Sequence, residues 1–496
     1  MTDNHQDITG STINLSLISH TNAGKTTLAR TLLGRDVGEV RDAAHVTDLS
    51  QAYPMLSTKQ GDVLMLWDTP GFGDTARLLR RLKMSGNPIG WIMTQVWDRF
   101  ADRPLWCSQQ AMRNAREQAD VILYLVNACE DPQDAAYVDM EMQILSWIGK
   151  PVVLLLNQIG PPPESDREAQ EEQKWRAHLQ RFTILRAVLT LDAFARCWVQ
   201  EGVLLDTVAS LLPISKQSAF SALSSAWREH TLSCFHDAMA ILAAQLARTA
   251  CDREIVSNPS WASRIGGLIK SFSHNALSDK DIAMQRMAER LDDDIRSTTD
   301  RLILRHGLQG HAAQEILRRL HDDYIANMPL NTNTAAIFGG LLSGALGGLA
   351  ADIAAGGLTF GGGMVAGGIT GALGASGLAH GYNLIKGKTP SIRWSAEFYE
   401  GLVRSALLRY LAVAHFGRGR GEFAQSEHPT FWQQAVTDTV SSVRAEIRAI
   451  WTLGKSADDI DRITQQIETV LTLCAARLLI ALYPGAAAIF HPDGAE

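Results

Sequence analysis

Residues 13–27 read Ile-Asn-Leu-Ser-Leu-Ile-Ser-His-Thr-Asn-Ala-Gly-Lys-Thr-Thr, and this stretch decides the fold of the first part of the chain. An apolar run at 13–18, typical of a buried strand, leads directly into the loop 19–27 and then into a helical pattern at 28–33. The loop matches the phosphate-binding pattern G-x-x-x-x-G-K-[ST], with Ser19 in place of the first glycine. A strand, this loop and a helix in that order predict a site that holds phosphate groups at a helix N-terminus.

The residues of this loop have distinct chemical uses. Backbone N–H groups around residues 22–26 can surround phosphate oxygens, the Lys25 ammonium can neutralise phosphate charge, and the Thr26 hydroxyl can bind Mg²⁺. The predicted nucleotide-binding residues of the loop are Asn22, Ala23, Gly24, Lys25, Thr26 and Thr27. A chance Gly-Lys-Thr at a helix start is the alternative, and the order of the elements argues against it.

A second motif, Trp67-Asp-Thr-Pro-Gly71, follows the apolar run at 63–66. An aspartate at a strand end can hold a water bound to Mg²⁺, and the Gly71 amide can contact a γ-phosphate. Alone, D-x-x-G is a weak signal. After a phosphate-binding loop and at a strand end, it predicts the second half of a nucleoside triphosphate site.

Together these motifs resemble those of the translation-factor-related class of P-loop GTPases, the Era- and TrmE-like proteins, over about residues 12–213. The resemblance implies GTP as ligand and substrate and Mg²⁺ as cofactor. It implies Lys25, Thr47 and Gly71 as catalytic residues and Thr26, Thr47 and Asp68 as metal ligands. Thr47 is the first choice for the threonine of the first switch, and Thr31 and Ser50 stay open as alternatives.

The chain departs from this class at two places. Phe72 follows the Asp-Thr-Pro-Gly motif where some relatives carry a water-orienting glutamine, so we expect slow hydrolysis that depends on another group or a partner. At 154–160, where the class has its base-reading N-K-x-D motif, Asn157 matches, Gln158 replaces the lysine and Gly160 replaces the aspartate. Loss of that carboxylate weakens the physical basis for choosing guanine over adenine. Asp192, in the place of the last base-contacting loop, is a candidate substitute, and Asn157, Gln158 and Asp192 complete the predicted nucleotide-binding set.

Apolar runs at 13–18, 63–67, 121–126, 152–156 and 187–191 alternate with helical patterns. This alternation predicts an α/β P-loop GTPase domain with a mostly parallel sheet and helices on both faces. An α-helical domain that contains a glycine-zipper helical hairpin follows. The predicted boundaries are a flexible N-terminus at 1–11, the GTPase domain at 12–215, a helical domain at 216–333, the glycine-rich hairpin at 334–387 and a C-terminal helical domain at 388–496.

Glycines are concentrated in one segment, because seventeen of the forty lie in residues 335–387. Those at 340, 344 and 348, and those at 363, 367 and 371, recur every four residues and would form grooves where another helix can approach closely. In water each helical glycine costs about 1 kcal/mol relative to alanine, whereas a bilayer keeps the helical hydrogen bonds intact. Asp352 is the only formal charge between Asp323 and Lys386. We therefore predict a helical hairpin that contacts the membrane through 335–385, with its turn near 352–362.

Basic residues flank this segment on both sides, which favours both ends in the cytoplasm. Trp394, Phe398 and Tyr399, just beyond it, suit an interfacial belt. We expect a cytoplasmic protein, peripheral to or anchored in the inner membrane by the hairpin, with a membrane protein or a second copy of the chain as a candidate partner. A hairpin buried among the protein's own helices is the alternative that stays open.

Composition narrows the function classes. The 496 residues carry a formal net charge of −7 and are 46% hydrophobic, which excludes a wholly disordered chain and argues against a broad nucleic-acid surface. We therefore expect no nucleic-acid partner. Six cysteines without a C-x-x-C pair predict reduced thiols.

The whole arrangement resembles a bacterial family of uncharacterised GTPases whose C-terminal half is a domain of unknown function. The leading hypothesis is a Mg²⁺-dependent GTP-binding protein that hydrolyses GTP slowly, a nucleotide switch coupled to a membrane-associated helical domain. A nucleotide-binding membrane scaffold with little hydrolysis is one alternative. An ATP-using P-loop protein is another, suggested by Gly160.

Overall fold

The structure is a computed structural model and describes residues 10–35, 37, 49–94, 102–158, 167–193, 197–255, 279–308, 382–385, 391–415, 430–454 and 459–490. Thr47 and Gly160 lie outside this part of the chain. The chain divides into two compact units. The first unit comprises residues 1–233, 414–423 and 479–496, and the second comprises residues 234–413 and 424–478.

A six-stranded sheet forms the centre of the first unit. Across the sheet, the strands are β2 (Gln51–Ser57), β3 (Val63–Asp68), β1 (Thr12–Ser19), β4 (Val121–Asn127), β5 (Val152–Asn157) and β6 (Leu185–Thr190). All five predicted strands are present and pair in parallel. β4 and β5 are buried along almost their whole length, which explains their unbroken apolar sequence.

β2 is the strand that the sequence pattern does not predict. It runs antiparallel to β3 at the edge of the sheet, and its register shifts between Pro54 and Leu56. Proline is tolerated on an edge strand because one side of the backbone needs no ladder partner. Because β2 contains a proline and its residues are only partly buried, its sequence lacks the apolar pattern that predicts a strand.

Helices complete the first unit. They are α1 (Lys25–Leu33), α2 (Thr75–Lys83), α3 (Pro88–Thr94), α4 (Arg103–Glu117), α5 (Ala136–Ile148), α6 (Arg167–Leu179), α7 (Trp198–Leu211) and the beginning of α8 (Ile214–Cys251). Pro213 separates α7 from α8, because proline has no backbone N–H to continue the hydrogen bonding of a helix. Three of the helices, α2 to α4, fill the connection between β3 and β4, and their apolar side chains join the core that contains Phe72 and Tyr124.

The second unit is mainly helical. After the end of α8, its described elements are β7 (Arg253–Ile255), α9 (Asp279–Arg305), β8 (Tyr382–Ile385), β9 (Ser391–Trp394), α10 (Ala396–Ala414), α11 (Thr430–Ser442), α12 (Arg444–Leu453) and α13 (Ile460–Leu482). A small antiparallel sheet has the strand order β7-β9-β8. The chain then returns to the first unit with α14 (Ala487–Phe490). Within the described residues, the helical prediction for the second half is correct apart from these three short strands.

Two expectations next to the glycine-rich segment are wrong. Residues 382–385, expected within the helical hairpin, form β8, because their backbone pairs with β9. Trp394, Phe398 and Tyr399 form no interfacial belt, since all three are buried within the second unit. Trp394 stacks on Phe398 with ring centroids 4.3 Å apart, so packing inside the protein accounts for these aromatic residues. Residues 334–381 lie outside the described part of the chain, and the glycine zipper stays a prediction.

Within the described ranges, one helix, α13, is long and apolar enough to cross a membrane by length and composition alone. Helices in the core of a water-soluble domain meet the same criterion. Leu471, Cys474 and Leu478 on α13 are buried, so burial inside the protein explains the apolar character of at least this face.

Candidate functional site

The phosphate loop lies between the end of β1 and the start of α1, at the middle of the sheet. Gly24 caps α1 with a φ of 87°, and Asn22 also has a positive φ, 68°. A Cβ atom at Gly24 would lie 2.8 Å from Nδ2 of Asn157, so both the backbone angle and the close approach require glycine. The first turn of α1 has no side-chain cap within the described residues. This is the arrangement of a helix N-terminus that binds an anion.

Lys25 is the first residue of α1, and its side chain folds back over the loop. Its Nζ donates a hydrogen bond to Ser19 Oγ at 3.0 Å, and the side chain is buried. Burial lowers the pKa of Lys25, and the carboxylates of Asp68 and Glu141 oppose this shift. Ser19, which stands where the pattern has its first glycine, thus serves as a neutral hydrogen-bond partner for the lysine.

Thr26 and Asp68, two of the three predicted metal ligands, face each other. Thr26 Oγ1 donates to Asp68 Oδ2 at 2.7 Å, which joins the start of α1 to the end of β3. Asp68 is 2% exposed, and its Oδ1 has no hydrogen-bond partner among the described residues. Burial raises the pKa of Asp68, whereas Lys25 and the Thr26 hydroxyl lower it. A buried carboxylate oxygen beside a hydroxyl is the kind of ligand that a hard cation such as Mg²⁺ prefers.

No cluster of three or more His, Cys, Asp or Glu side chains that could hold a metal occurs in the described part of the chain.

The Asp-Thr-Pro-Gly segment runs alongside the phosphate loop. Phe72 N donates to Ser19 O at 2.9 Å, and Thr21 N donates to Phe72 O at 3.2 Å, so the two segments pair like short parallel strands. A Cβ atom at Gly71 would lie 3.0 Å from Thr21 Cα, and the absence of a side chain permits this approach. Phe72 is completely buried in the hydrophobic core. It therefore has neither a polar group nor exposed surface to offer an attacking water.

Asn157, at the end of β5, connects the phosphate loop to the segment after β6. Its Nδ2 donates to Ala23 O at 2.9 Å, and its Oδ1 accepts from Ala193 N at 2.8 Å, while the residue is fully buried. Gln158 follows with a φ of 59°. Asp192 is buried directly before Ala193. The predicted base-side residues Asn157, Gln158 and Asp192 are thus near the loop that holds the phosphates.

The candidates for the first-switch threonine are placed differently. Thr31 is buried on α1, and its Oγ1 donates to Ala193 O at 2.9 Å, which argues against Thr31 as a metal ligand. The hydroxyl of Ser50, next to β2, is buried and has no hydrogen-bond partner among the described residues. Thr47, the first choice, lies outside the described residues.

The sequence does not predict a role for two acidic residues, Glu141, which is buried, and Glu168, which is half-buried. Glu141 on α5 accepts hydrogen bonds from His20, Thr75 and Tyr124. Burial raises the pKa of Glu168 on α6 to about 7, with the charges of Glu172 and Asp192 adding to the shift. The one sequence signal for Glu141 is a charged residue inside the apolar run Met140-Glu-Met-Gln-Ile-Leu145. Glu168 lies in a glutamate-rich helix where nothing distinguishes it.

A phosphate loop after a central parallel strand, with a threonine and an aspartate meeting beside its lysine, defines a P-loop nucleotide-binding domain. Residues 14–158 match the family described as 50S ribosome-binding GTPase, so the first unit carries a P-loop GTPase domain. Residues 176–473 match the family described as domain of unknown function (DUF3482). This match spans more than half of the chain, and the protein belongs to that family. The resemblance inferred from the motifs is confirmed.

Solved structures to which parts of the chain are similar include those of Era and NFeoB proteins. A variant of Aquifex aeolicus Era bound to GDP and AlF₄⁻ is 19% identical, with a TM-score of 0.30 and coverage of 41% of this chain and 57% of that chain. An Era complex with MgGDPNP and a fragment of 16S ribosomal RNA is 17% identical, with a TM-score of 0.30 and coverage of 41% and 58%. A variant of S. thermophilus NFeoB bound to GDP and AlF₄⁻ is 16% identical, with a TM-score of 0.24 and coverage of 58% and 91%.

The chain therefore spans less than two thirds of the two Era chains. Likenesses with such TM-scores do not establish a shared function. No curated protein matches the sequence.

Proposed function

We propose that this protein binds GTP together with Mg²⁺, hydrolyses it slowly, and uses the bound nucleotide to set the state of a membrane-associated helical domain. The observation that carries the nucleotide part is the contact between Thr26 and Asp68. A hydroxyl of the phosphate loop and a carboxylate of the second motif meet at 2.7 Å, next to the buried lysine of the same loop.

The residues at this contact fit a magnesium ion. Asp68 has one buried oxygen without a partner among the described residues, and burial of its charge raises its pKa. A bound divalent cation would compensate that charge. Thr26 and Asp68 would hold the ion, with Thr47 proposed as a further ligand. When bound, Mg²⁺ neutralises charge on the β- and γ-phosphates.

The chain's own groups would promote hydrolysis by charge and position. Water attacks the γ-phosphorus, the bond to the bridging β–γ oxygen breaks, and GDP and phosphate leave without a covalent enzyme intermediate. Lys25 and the N–H groups at the start of α1 stabilise the phosphate charge, and the Gly71 N–H contacts the γ-phosphate. Because Phe72 has no group that can orient water, turnover is slow until another residue or a partner supplies one.

GTP is the proposed nucleotide because the matching family is one of GTPases and because Asn157 stands in the base-reading motif. Asp192 is proposed to supply the carboxylate that Gly160 lacks. Gly160 itself favours the alternative of an ATP-using protein, since a guanine-specific pocket needs an acceptor for the ring N–H groups.

The membrane part of the proposal is supported by sequence alone. Four-residue glycine spacing and a single formal charge between Asp323 and Lys386 suit a helical hairpin in lipid. We accordingly propose a cytoplasmic protein held at the inner membrane by residues 335–381, with a membrane protein or a second copy as partner. A membrane scaffold that binds nucleotide with little hydrolysis is the competing function, and the burial of Phe72 favours it.

Phosphate release under multiple-turnover conditions tests the proposal on wild type, Lys25→Ala and the matched control Lys174→Ala, whose lysine is on the surface. We expect slow Mg²⁺-dependent release by the wild type and the control, and loss of both release and nucleotide binding in Lys25→Ala. Undiminished binding by Lys25→Ala would contradict the site. Tight binding by the wild type without release would support the scaffold.

A further inference from the structure

Glu141 joins the phosphate loop to the helix that follows the second motif. The residue lies on α5 and is completely buried. Its Oε1 contacts His20 Nδ1 at 2.7 Å and accepts from Thr75 Oγ1 at 2.8 Å, and its Oε2 accepts from Tyr124 OH at 2.6 Å. Both hydroxyls donate to Glu141, and we assign to His20 the tautomer in which Nδ1 carries the hydrogen and donates to Oε1. One side chain thus holds groups from the phosphate loop, from the first residue of α2 and from β4.

The backbone provides a second connection between the same two segments. Phe72 pairs with the phosphate loop through its N–H and its carbonyl. The bond from Thr75 to Glu141 follows three residues later, and Gly71 directly precedes the paired Phe72. Both attachments therefore limit where the Gly71 N–H can lie relative to the phosphates.

In addition to its contact with Glu141, the His20 ring packs against an aromatic ring. The ring of Tyr137 lies 4.5 Å from it, between centroids, and Tyr137 OH donates to Glu130 Oε2 at 2.9 Å. A ring packed this way keeps Nδ1 directed at Glu141, while the histidine side chain remains 31% exposed at the loop. His20 and Thr75 are therefore linked by hydrogen bonds through Glu141, and Tyr137 packs against the histidine end of this chain.

We propose that His20 and Thr75 are positioning residues for γ-phosphate hydrolysis, acting through Glu141 to hold the Asp-Thr-Pro-Gly segment against the phosphate loop. This inference rests on the proposed GTP hydrolysis and adds the residues that set its rate. It follows from the burial of Phe72: with no side chain available to orient water, the rate depends on where the backbone of Gly71 is held. Thr75 and Glu141 influence that position through hydrogen bonds to each other and to His20, and not through a bond to the phosphates.

The test compares pairs of variants that differ by one hydrogen-bonding group. Thr75→Val removes the hydroxyl and Thr75→Ser keeps it, while His20→Phe keeps a ring against Tyr137 and His20→Asn keeps a donor near Nδ1. Thr207→Val is the matched control, because its hydroxyl bonds only within α7, to Val203 O at 2.8 Å. Melting curves identify any variant that fails to fold. Steady-state GTP hydrolysis gives kcat and KM. Titrations with fluorescently labelled GDP and with a labelled non-hydrolysable GTP analogue give the two nucleotide affinities.

We expect Thr75→Val and His20→Phe each to lower kcat about tenfold with KM and GDP affinity within about threefold, as loss of one bond to a charged group implies. Thr75→Ser and His20→Asn should recover most of the rate. The double variant should lose little more than either single one, because both act through one carboxylate. An unchanged kcat in folded Thr75→Val and His20→Phe overturns the inference.

A failure of the proposed GTP hydrolysis can be distinguished from a failure of the positioning role. If the wild type binds GTP but never hydrolyses it, the positioning role is judged by the ratio of GTP-analogue affinity to GDP affinity. Thr75→Val and His20→Phe must then change this ratio at least about threefold relative to wild type, since only the γ-phosphate contacts the held segment. A ratio equal to that of the wild type and of Thr207→Val overturns the inference in that case.

Discussion

Replacing Asn157 with alanine should destabilise the first unit before any nucleotide binds. The side chain makes two buried hydrogen bonds, to Ala23 O at 2.9 Å and from Ala193 N at 2.8 Å, and both partner residues are themselves buried. Each bond contributes about 0.5–1.5 kcal/mol, and a partner left buried and unsatisfied costs about 1–3 kcal/mol. For two bonds, with some access of water to the new space, we expect the free energy of unfolding to fall by about 2–4 kcal/mol.

Urea denaturation of the nucleotide-free protein, followed by tryptophan fluorescence, measures this loss. Hydrogen exchange on the peptide that contains Ala193 reports the bond directly, because its amide should lose protection. Gln158→Ala is the control from the same motif, and its free energy of unfolding should stay within about 0.5 kcal/mol of wild type, as for a partly exposed substitution. If the free energy of unfolding of Asn157→Ala falls by less than about 0.5 kcal/mol and hydrogen exchange at Ala193 is unchanged, the two hydrogen bonds of Asn157 do not stabilise the first unit.

Three further predictions concern catalysis, pH and the membrane. Gly71→Ala puts a Cβ atom 3.0 Å from Thr21 Cα, so the Asp-Thr-Pro-Gly segment must shift. Phosphate release should therefore fall at least about tenfold with little change in GDP affinity. An equal loss of phosphate release and of GDP affinity would contradict this prediction. Because the pKa of Glu168 is raised from 4.5 to about 7, the folded state binds more protons between these values and the free energy of unfolding falls as pH rises from about 4.5 to 7. Glu168→Gln should remove that decline, so that in urea denaturation it stabilises the protein at pH 8 relative to pH 5 by about 1–2 kcal/mol, after allowance for partial exposure. A difference between variant and wild type that does not change with pH would contradict the raised pKa. Deleting residues 335–381, which spares β8, should release the protein from lipid vesicles in flotation. A wild type that never floats in any nucleotide state would contradict the membrane hairpin.

The phosphate site could be predicted because its information is local. Lys25, Thr26 and Asp68 each lie at a strand or helix end, and a short motif fixes both the turn and the chemistry. The parallel strands β4 and β5 could be predicted for a similar reason, since burial on both faces leaves only apolar residues in their sequence.

The missed features depend on contacts between distant residues. Glu141 is 121 positions from His20, and no local pattern pairs them. Trp394 and Phe398 read as interfacial residues because aromatic side chains suit both a lipid boundary and a protein core, and only the fold decides between the two. β2 escapes detection because an edge strand with an internal proline lacks the alternation of a half-buried strand.

Competition between GTP and ATP for the Mg²⁺-loaded site, measured by displacement of a fluorescent GTP analogue, shows whether this protein has a guanine-nucleotide site built on Lys25. We expect the wild type to bind the analogue only with Mg²⁺, and unlabelled GTP to displace it at concentrations at least about tenfold below those of ATP, as one well-placed polar group in the base site provides. Lys25→Ala should bind neither GTP nor the analogue. Displacement by ATP at equal or lower concentration would contradict the assignment of GTP, and binding by Lys25→Ala equal to wild type would contradict the site itself.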